Sequence, residues 1–279
     1  MAGSIRVGTC SWKYPSWAGL VYSRAEGIDY LAEYARKYST VEIDQWFWAM
    51  PDPGQAESYR SVVPETFSFT VKAYGGLTRA TQGRRGAQAK PNPDFLSAEL
   101  YARFLDSLSG LRSSCGAVML QFEYLNRQKI ASEEEFLRRL DSFLALVPRD
   151  VPIAVETRNS SYLGREYFSL LRDRKAAHVF LQGYWMPQVP ELYERCRDYL
   201  VGTPIVRLHG PDREGMEEAT GGAWDRIVTP RDDELRGIAA MTLDMRKRGL
   251  DVYLNVNNHF EGSAPLTIQK LLALGVADS

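Results

Sequence analysis

Three consecutive stretches, GAVMLQF at 116–122, SEEEFLRRLDSFLALV at 132–147 and PIAVE at 152–156, decide how this chain is read. The first and third are apolar runs of the length of a buried strand. The second repeats its apolar residues at helical spacing, with Phe136, Leu140, Phe143, Leu144 and Val147 on one face. Ser132 and Glu135 form a capping box at its start, each side chain positioned to satisfy a backbone donor that the helix leaves unpaired. Strand, amphipathic helix and strand in that order predict a βαβ unit with parallel strands.

The same alternation extends in both directions from this unit. Strands are expected at Ile5–Cys10, Thr40–Asp44, Phe67–Lys72, Gly116–Phe122, Pro152–Glu156, Ala176–Leu181, Pro204–His209 and Asp251–Val256. Leu31, Ala35 and Tyr38 mark the first helix, and Ile268, Leu271 and Leu272 the last. Thr229 and Pro230 read as the N-cap and first residue of a helix carrying Leu235, Ile238, Thr242 and Met245, closed by Gly249, and Asn92 and Pro93 open another in the same way. Eight strand–helix units over 279 residues predict a single (β/α)8 TIM-type barrel domain spanning 1–279, with the ligand site at the C-terminal ends of the strands. A doubly wound sheet would carry a glycine-rich phosphate turn after its first strand, where this chain has Thr9-Cys10-Ser11-Trp12-Lys13-Tyr14-Pro15. The segment 73–93 reads as one long loop.

Composition narrows the function classes less than the fold. With 34 Lys and Arg against 35 Asp and Glu, the net charge of −1 gives no global drive towards nucleic acid or membrane. It averages over a local asymmetry, because 73–93 holds Arg79, Arg84, Arg85 and Lys90 and no acid. Cys10, Cys115 and Cys196 lie far apart, with no paired spacing suited to a disulfide framework or structural zinc. Without a leader-like N-terminus or a long apolar span, a cytoplasmic protein with no membrane partner is expected. Oligomeric state leaves no mark.

In such a barrel, polar residues that end apolar strands are the candidates for chemistry. Here they are Glu42, Asp44, Lys72, Gln121, Glu123, Glu156, Arg158, Arg207, His209, Asn257, Asn258 and His259, with Trp12, Trp17, Trp46, Trp48, Tyr184 and Trp185 among the aromatics of the same loops. Structural ion pairs such as Glu156 with Arg158 or Glu42 with Lys72 are the simplest account of individual members. So many chargeable groups aimed at one mouth point, as a set, to a polar ligand.

The motifs Val7-Gly8-Thr9-Cys10-Ser11-Trp12 followed by Trp17, Thr40-Val41-Glu42-Ile43-Asp44, Phe67-Ser68-Phe69-Thr70-Val71-Lys72, Leu120-Gln121-Phe122, Val155-Glu156-Thr157-Arg158, Arg207-Leu208-His209-Gly210 and Asn257-Asn258 occur in this order. Together they resemble the YecE-like family, domain of unknown function 72, over nearly the whole chain. The resemblance implies a TIM barrel and no established reaction. Two positions depart from the family's pattern: Asp44-Gln45-Trp46-Phe47-Trp48 stands in place of an Asn-x-Thr-Phe-Tyr run, and Gln121-Phe122-Glu123-Tyr124 in place of Gln-Leu-Pro-Pro. Both alter the aromatic and charge lining of the mouth.

Several chemistries fit these residues. An enzyme of hydrolase or lyase type would use general acid–base catalysis on a small polar or phosphate-bearing substrate, with Glu156, His209 and Glu42 as acid–base groups. Lys72, Arg158 and Arg207 would clamp an anion, while Asp44, Gln121, Asn257 and Asn258 orient it and Trp12 and Trp17 supply stacking faces. No cofactor motif is read. A metal-dependent phosphoesterase or isomerase would instead draw ligands from His209, Glu156, Asp44 and His259. A non-catalytic binder of an anionic ligand or nucleic acid would use Arg79, Arg84, Arg85 and Lys90. Cys10, at the end of the first strand, is a candidate reactive thiol, whereas Cys115 and Cys196 read as small core fillers and His178 as a core histidine.

Overall fold

A strand rich in β-branched and apolar residues is stable where both of its faces are covered, and the computed structural model, which describes residues 2–82 and 90–277, covers them by closing a barrel. The strands are β1 (Ile5–Thr9), β2 (Thr40–Ile43), β3 (Ser68–Lys72), β4 (Thr81–Gln82), β5 (Lys90–Pro91), β6 (Cys115–Gln121), β7 (Ile153–Glu156), β8 (Ala177–Gly183), β9 (Ile205–Gly210) and β10 (Val252–Val256). Eight of them run round the closed barrel in the order β1-β10-β9-β8-β7-β6-β3-β2, with every neighbouring pair parallel. The eight expected strands agree with these bounds to within two residues. Around the barrel lie α1 (Tyr30–Tyr34), α2 (Pro53–Ser61), α3 (Ala98–Ser107), α4 (Glu133–Leu146), α5 (Arg165–Asp173), α6 (Val189–Cys196), α7 (Arg213–Thr220), α8 (Asp232–Lys247) and α9 (Ala264–Ala273).

Alternation along each strand sorts side chains between two environments. One set packs outward against the helices, where Val7, Val41, Val71, Val155, Leu208 and Leu254 join Phe104, Phe136, Leu140, Phe143 and Ile238 in the main core. The other points into the barrel. Low in the interior, Met119, Ala154, Val179, Ile205 and Tyr253 form a separate apolar cluster. Two residues further along their strands, Gln121, Glu156, Arg207 and Asn255 stand above them. Another step brings His209 on β9 and Asn257 just past β10 towards the mouth, beside Asp44 and Lys72 at the ends of β2 and β3. The polar strand ends are thus consecutive layers of one interior column.

Helix starts depend on which side chain takes the first orphan donors. Ser132 caps α4 through the backbone N–H of Glu135 at 3.3 Å, as its sequence signature predicts. Two other starts are corrected. The backbone N–H groups of Val228 and Thr229 donate to the Glu261 carbonyl and that of Arg231 to the Glu261 carboxylate, which delays α8 to Asp232. Asn92 Oδ1 accepts from the Asp94 N–H at 3.0 Å, but the turn it opens stops at Leu96, in the left-handed region at φ 57°, while its Nδ2 pins the loop through the carbonyls of Gly76 and Arg79; α3 starts after Ser97, whose hydroxyl accepts from Leu100. The segment expected as one loop contains the antiparallel pair β4–β5. In α9, Ile268 and Leu271 are buried while Leu272 is exposed. No helix among the described residues is long and apolar enough to cross a membrane.

Candidate functional site at the carboxyl mouth of the barrel

The deepest polar layer is organised by Arg207, whose side chain is 1% exposed. Its Nε and Nη2 donate to the two carboxylate oxygens of Glu42 at 2.8 and 2.7 Å, and its Nη1 to Glu156 Oε2 at 2.7 Å and Gln121 Oε1 at 3.1 Å. Asn255 Nδ2 donates to Thr70 Oγ1 at 2.9 Å and to Glu42 Oε2 at 3.3 Å. Glu42 and Glu156 come from strands three apart round the eight-strand barrel, and one guanidinium bridges them. The other Glu156 oxygen accepts from Arg158 Nε at 2.7 Å. Burial alone would raise the Glu156 carboxyl; Arg158, Arg207 and Lys72, with the Arg207 hydrogen bond, hold it down at about 2. Arg207 is desolvated too, yet Glu42 and Glu156 push its pKa up. The expected pair of Glu42 with Lys72 is not formed. Arg207 occupies both Glu42 oxygens, and Lys72 pairs with Asp44 instead, its ammonium 5.5 Å from the Phe47 ring.

Above this layer the contacts loosen. His209 Nε2 lies 3.7 Å from Cys10 Sγ, and Nδ1 lies 3.5 Å from the Tyr184 hydroxyl. Both are at the outer limit of a hydrogen bond. Burial first, and then the positive charges of Arg207, Arg158 and Lys72, drive the His209 pKa well below 6.5, so the ring is neutral at physiological pH. Cys10 is held as a thiol, its pKa raised by burial and by Glu42, which corrects its reading as a reactive thiolate. Cys115 and Cys196 are buried, with thiol pKa values raised to about 12 by burial. His178 is a core residue, its Nδ1 3.0 Å from the Tyr167 hydroxyl and its pKa lowered to about 3 by burial.

The end of β8 is re-aimed by backbone geometry. Gly183 has φ 142°, and a Cβ there would lie 2.3 Å from the Gly210 carbonyl oxygen. The pairing of β8 with β9 shifts register at this point, and Tyr184 follows in the left-handed region at φ 55°. A bulky side chain takes that conformation only when its surroundings impose it. The result is that the Tyr184 ring lies 4.9 Å from the Arg158 guanidinium and 6.0 Å from the His209 ring. No local sequence signal announces this turn, apart from a glycine at the end of an apolar run.

Other predicted site residues are dispersed. Trp17 is fully buried against Tyr14 and Tyr22, and Asn258 is buried with its Oδ1 accepting from Ala264 N at the start of α9; both hold structure. Trp12 is half-buried against Tyr59, in a groove of about 940 Å³ that Asp44 also lines. Asn257 binds the ring and backbone of His259, whose Nε2 contacts Glu217 at 3.1 Å. The four residues offered as metal ligands are therefore engaged in separate contacts, and no group of three or more His, Cys, Asp or Glu among the described residues is arranged to hold a metal ion. Arg79 and Lys90 are exposed, whereas Arg84 and Arg85 lie outside the described residues. Thr70 and Asn255 were missed as members of the polar layer, although period-two alternation from Lys72 and Asn257 identifies both.

The chain can now be set beside known proteins. The family described as Protein of unknown function DUF72 matches residues 6–277. The UPF0759 protein YunF of Bacillus subtilis (strain 168) is 24% identical over 258 residues, covering 88% of this chain and 86% of that protein. A DUF72-family crystal structure from Enterococcus faecalis V583 superposes with a TM-score of 0.70 at 20% identity, covering 99% of this chain and 96% of the other. One from Thermotoga maritima MSB8 gives 0.69 at 19% identity, with coverage of 98% and 99%. At these identities the structures bear on the fold alone, and they are barrels of the same plan. The nearly full-length family match assigns membership: this chain belongs to the DUF72 family.

Proposed function

We propose that the barrel mouth takes a small anionic or polar ligand and moves a proton on it through His209. The observation that supports this reading is the contrast in pairing among the ionisable groups of the mouth. Glu42, Glu156, Asp44 and Glu123 are each in an ion pair, with Arg207, Arg207 and Arg158, Lys72, and Lys129 respectively. His209 is partly exposed, neutral, and, among the described residues, held by two long side-chain contacts. A neutral imidazole surrounded by three cations is poised to accept a proton as soon as an anion offsets them. A carboxyl held at about 2 neither donates a proton near neutrality nor accepts one readily, so Glu156 is assigned, with Glu42, to fixing Arg207 and Arg158. Arg158 and Lys72 are assigned to holding the anion, with Gln121 and Asn257 as orienting groups. Hydrolysis or elimination by acid–base catalysis is the reaction class in view.

The test uses the chain's three histidines, whose imidazole resonances can be assigned by substitution. His209 should stay neutral well below pH 6.5 in the free protein, and inorganic phosphate should raise its pKa through Coulomb attraction. In a screen of phosphate esters, carboxylate esters and glycosides, His209→Asn should lower any detected turnover by about a hundredfold or more without loss of fold. An imidazole that titrates near 6.5 and ignores phosphate, or a His209→Asn variant with full turnover, overturns the reading.

A further inference from the structure

The loops after β6, β7 and β8 enclose a cavity of about 680 Å³ lined by Tyr124, Arg158, Ser160, Tyr184, Trp185 and Met186. It opens next to His209, since Tyr184 and Arg158 belong to both. Its walls are unusual in two respects. Trp185 is 92% exposed and Tyr124 62%, so two of the largest exposed hydrophobic side chains on the described surface border one cavity with few neighbours of their own. The only charged group in the wall is Arg158, and among the described residues its two terminal nitrogens have no protein hydrogen-bond partner, because the bond to Glu156 runs through Nε.

We propose that this cavity is a recognition subsite for a planar ring carried on an anionic ligand, with the ring against Trp185 and Tyr124 and the anionic group on the free end of Arg158. The subsite rests on the anion reading of the mouth and adds to it the chemical class of the ligand: a ring-bearing phosphate of mononucleotide size. Three features favour a planar ring over a sugar. The lining offers aromatic faces and a thioether, which stack on any flat π-system. It contains no Asn, Gln, Asp or Glu, the groups that would read a set of ring hydroxyls. Its volume lies within the range that encloses a single small ligand. The strained turn at Gly183–Tyr184 fits this role: it brings the Tyr184 ring to 4.9 Å from the Arg158 guanidinium, in the wall to which both side chains belong.

Three probes separate the parts: adenosine 5′-monophosphate, ribose 5-phosphate and inorganic phosphate, titrated calorimetrically into the full chain. Stacking on one aromatic face makes the nucleotide bind about tenfold or more tightly than ribose 5-phosphate. The Tyr124→Ala/Trp185→Ala double variant should remove that advantage and leave ribose 5-phosphate binding as it was; both positions are exposed, so the fold is expected to survive. Arg158→Gln should weaken nucleotide and ribose 5-phosphate alike. Equal affinities of the two ligands in the parent chain, or a nucleotide affinity unchanged in the double variant, overturn the ring subsite and leave the anion reading standing. Failure of all three probes to bind, with His209 unmoved by phosphate, overturns both.

Discussion

The buried layer around Arg207 and the rim around His209 are successive levels of one barrel mouth, and they differ in how far their hydrogen bonds are closed. In the layer, a guanidinium with five donors meets two carboxylates and an amide at 2.7–3.1 Å, and Asn255 braces Glu42 from the side. At the rim, His209 sits at 3.5 and 3.7 Å from its neighbours, Arg158 keeps two nitrogens unused, and Trp185 stands in solvent. A closed network fixes geometry and has nothing left to offer a ligand, whereas an open one held in place by it does. On the proposed function the layer is scaffold and the rim is the working surface.

The largest effect expected from this division is on stability, at Arg207. Arg207→Met removes the shared cation, leaving Glu42 buried without an ion-pair partner and Glu156 with Arg158 alone, which should lower unfolding free energy by about 3–5 kcal/mol in a denaturant titration. Adding Glu42→Gln and Glu156→Gln to the same chain removes the buried charges and should recover most of the loss. A single variant as stable as the parent would show that the layer is not structural and would move Arg207 to the ligand side of the division.

The next effect is on pH dependence. His209 and His178 are held neutral in the folded chain, well below 6.5 and at about 3, and protonate freely once unfolded. Below pH 6.5 the unfolded state is thus the better proton binder, so stability is full above that pH and falls as the pH drops. Glu156, at about 2 folded against 4.5 unfolded, extends the fall through the window from 4.5 to 2. Each such proton contributes a slope of about 1.4 kcal/mol per pH unit. Denaturant titrations between pH 6.5 and 5 should show His209→Gln reducing the slope by one proton's worth. An unchanged slope would mean that His209 is charged and paired in the fold, which erases its difference from the layer below.

The scaffold was far more legible in the sequence than the rim. Eight apolar runs, most of them ending in or leading to polar residues, predict the barrel, because period-two alternation is written locally. What it hid were choices between alternative partners. Nothing in the spacing says that Glu42 takes Arg207 and leaves Lys72 to Asp44, or that Trp17 packs inward while Trp185 stands out. The helix starts expected at Asn92 and Thr229 lie elsewhere because Asn92 Nδ2 donates to the carbonyls of Gly76 and Arg79, and Glu261 accepts from the backbone of Val228, Thr229 and Arg231, all of them tertiary contacts. The departure from family pattern at Gln121-Phe122-Glu123-Tyr124 was visible, and it falls on the exposed ring of the cavity.

The smallest expected effect concerns Tyr184, where rim and scaffold meet. A tyrosine at φ 55° carries a backbone penalty of about 1 kcal/mol or more, which asparagine largely avoids because it tolerates the left-handed region. Tyr184→Asn also forfeits the ring under Arg158, a contact worth about 0.5–1 kcal/mol at a partly exposed site. The two contributions nearly cancel, so the variant should unfold within about 0.5 kcal/mol of the parent. Its losses should fall on function, as weaker binding of a phosphate ligand by a guanidinium that has lost its ring contact. A tyrosine kept in an unfavourable conformation with no net gain in stability is what a rim shaped for a ligand requires. A substantial loss of stability in Tyr184→Asn, with phosphate binding intact, would instead place Tyr184 in the scaffold and move the boundary between the two regions outward to Trp185.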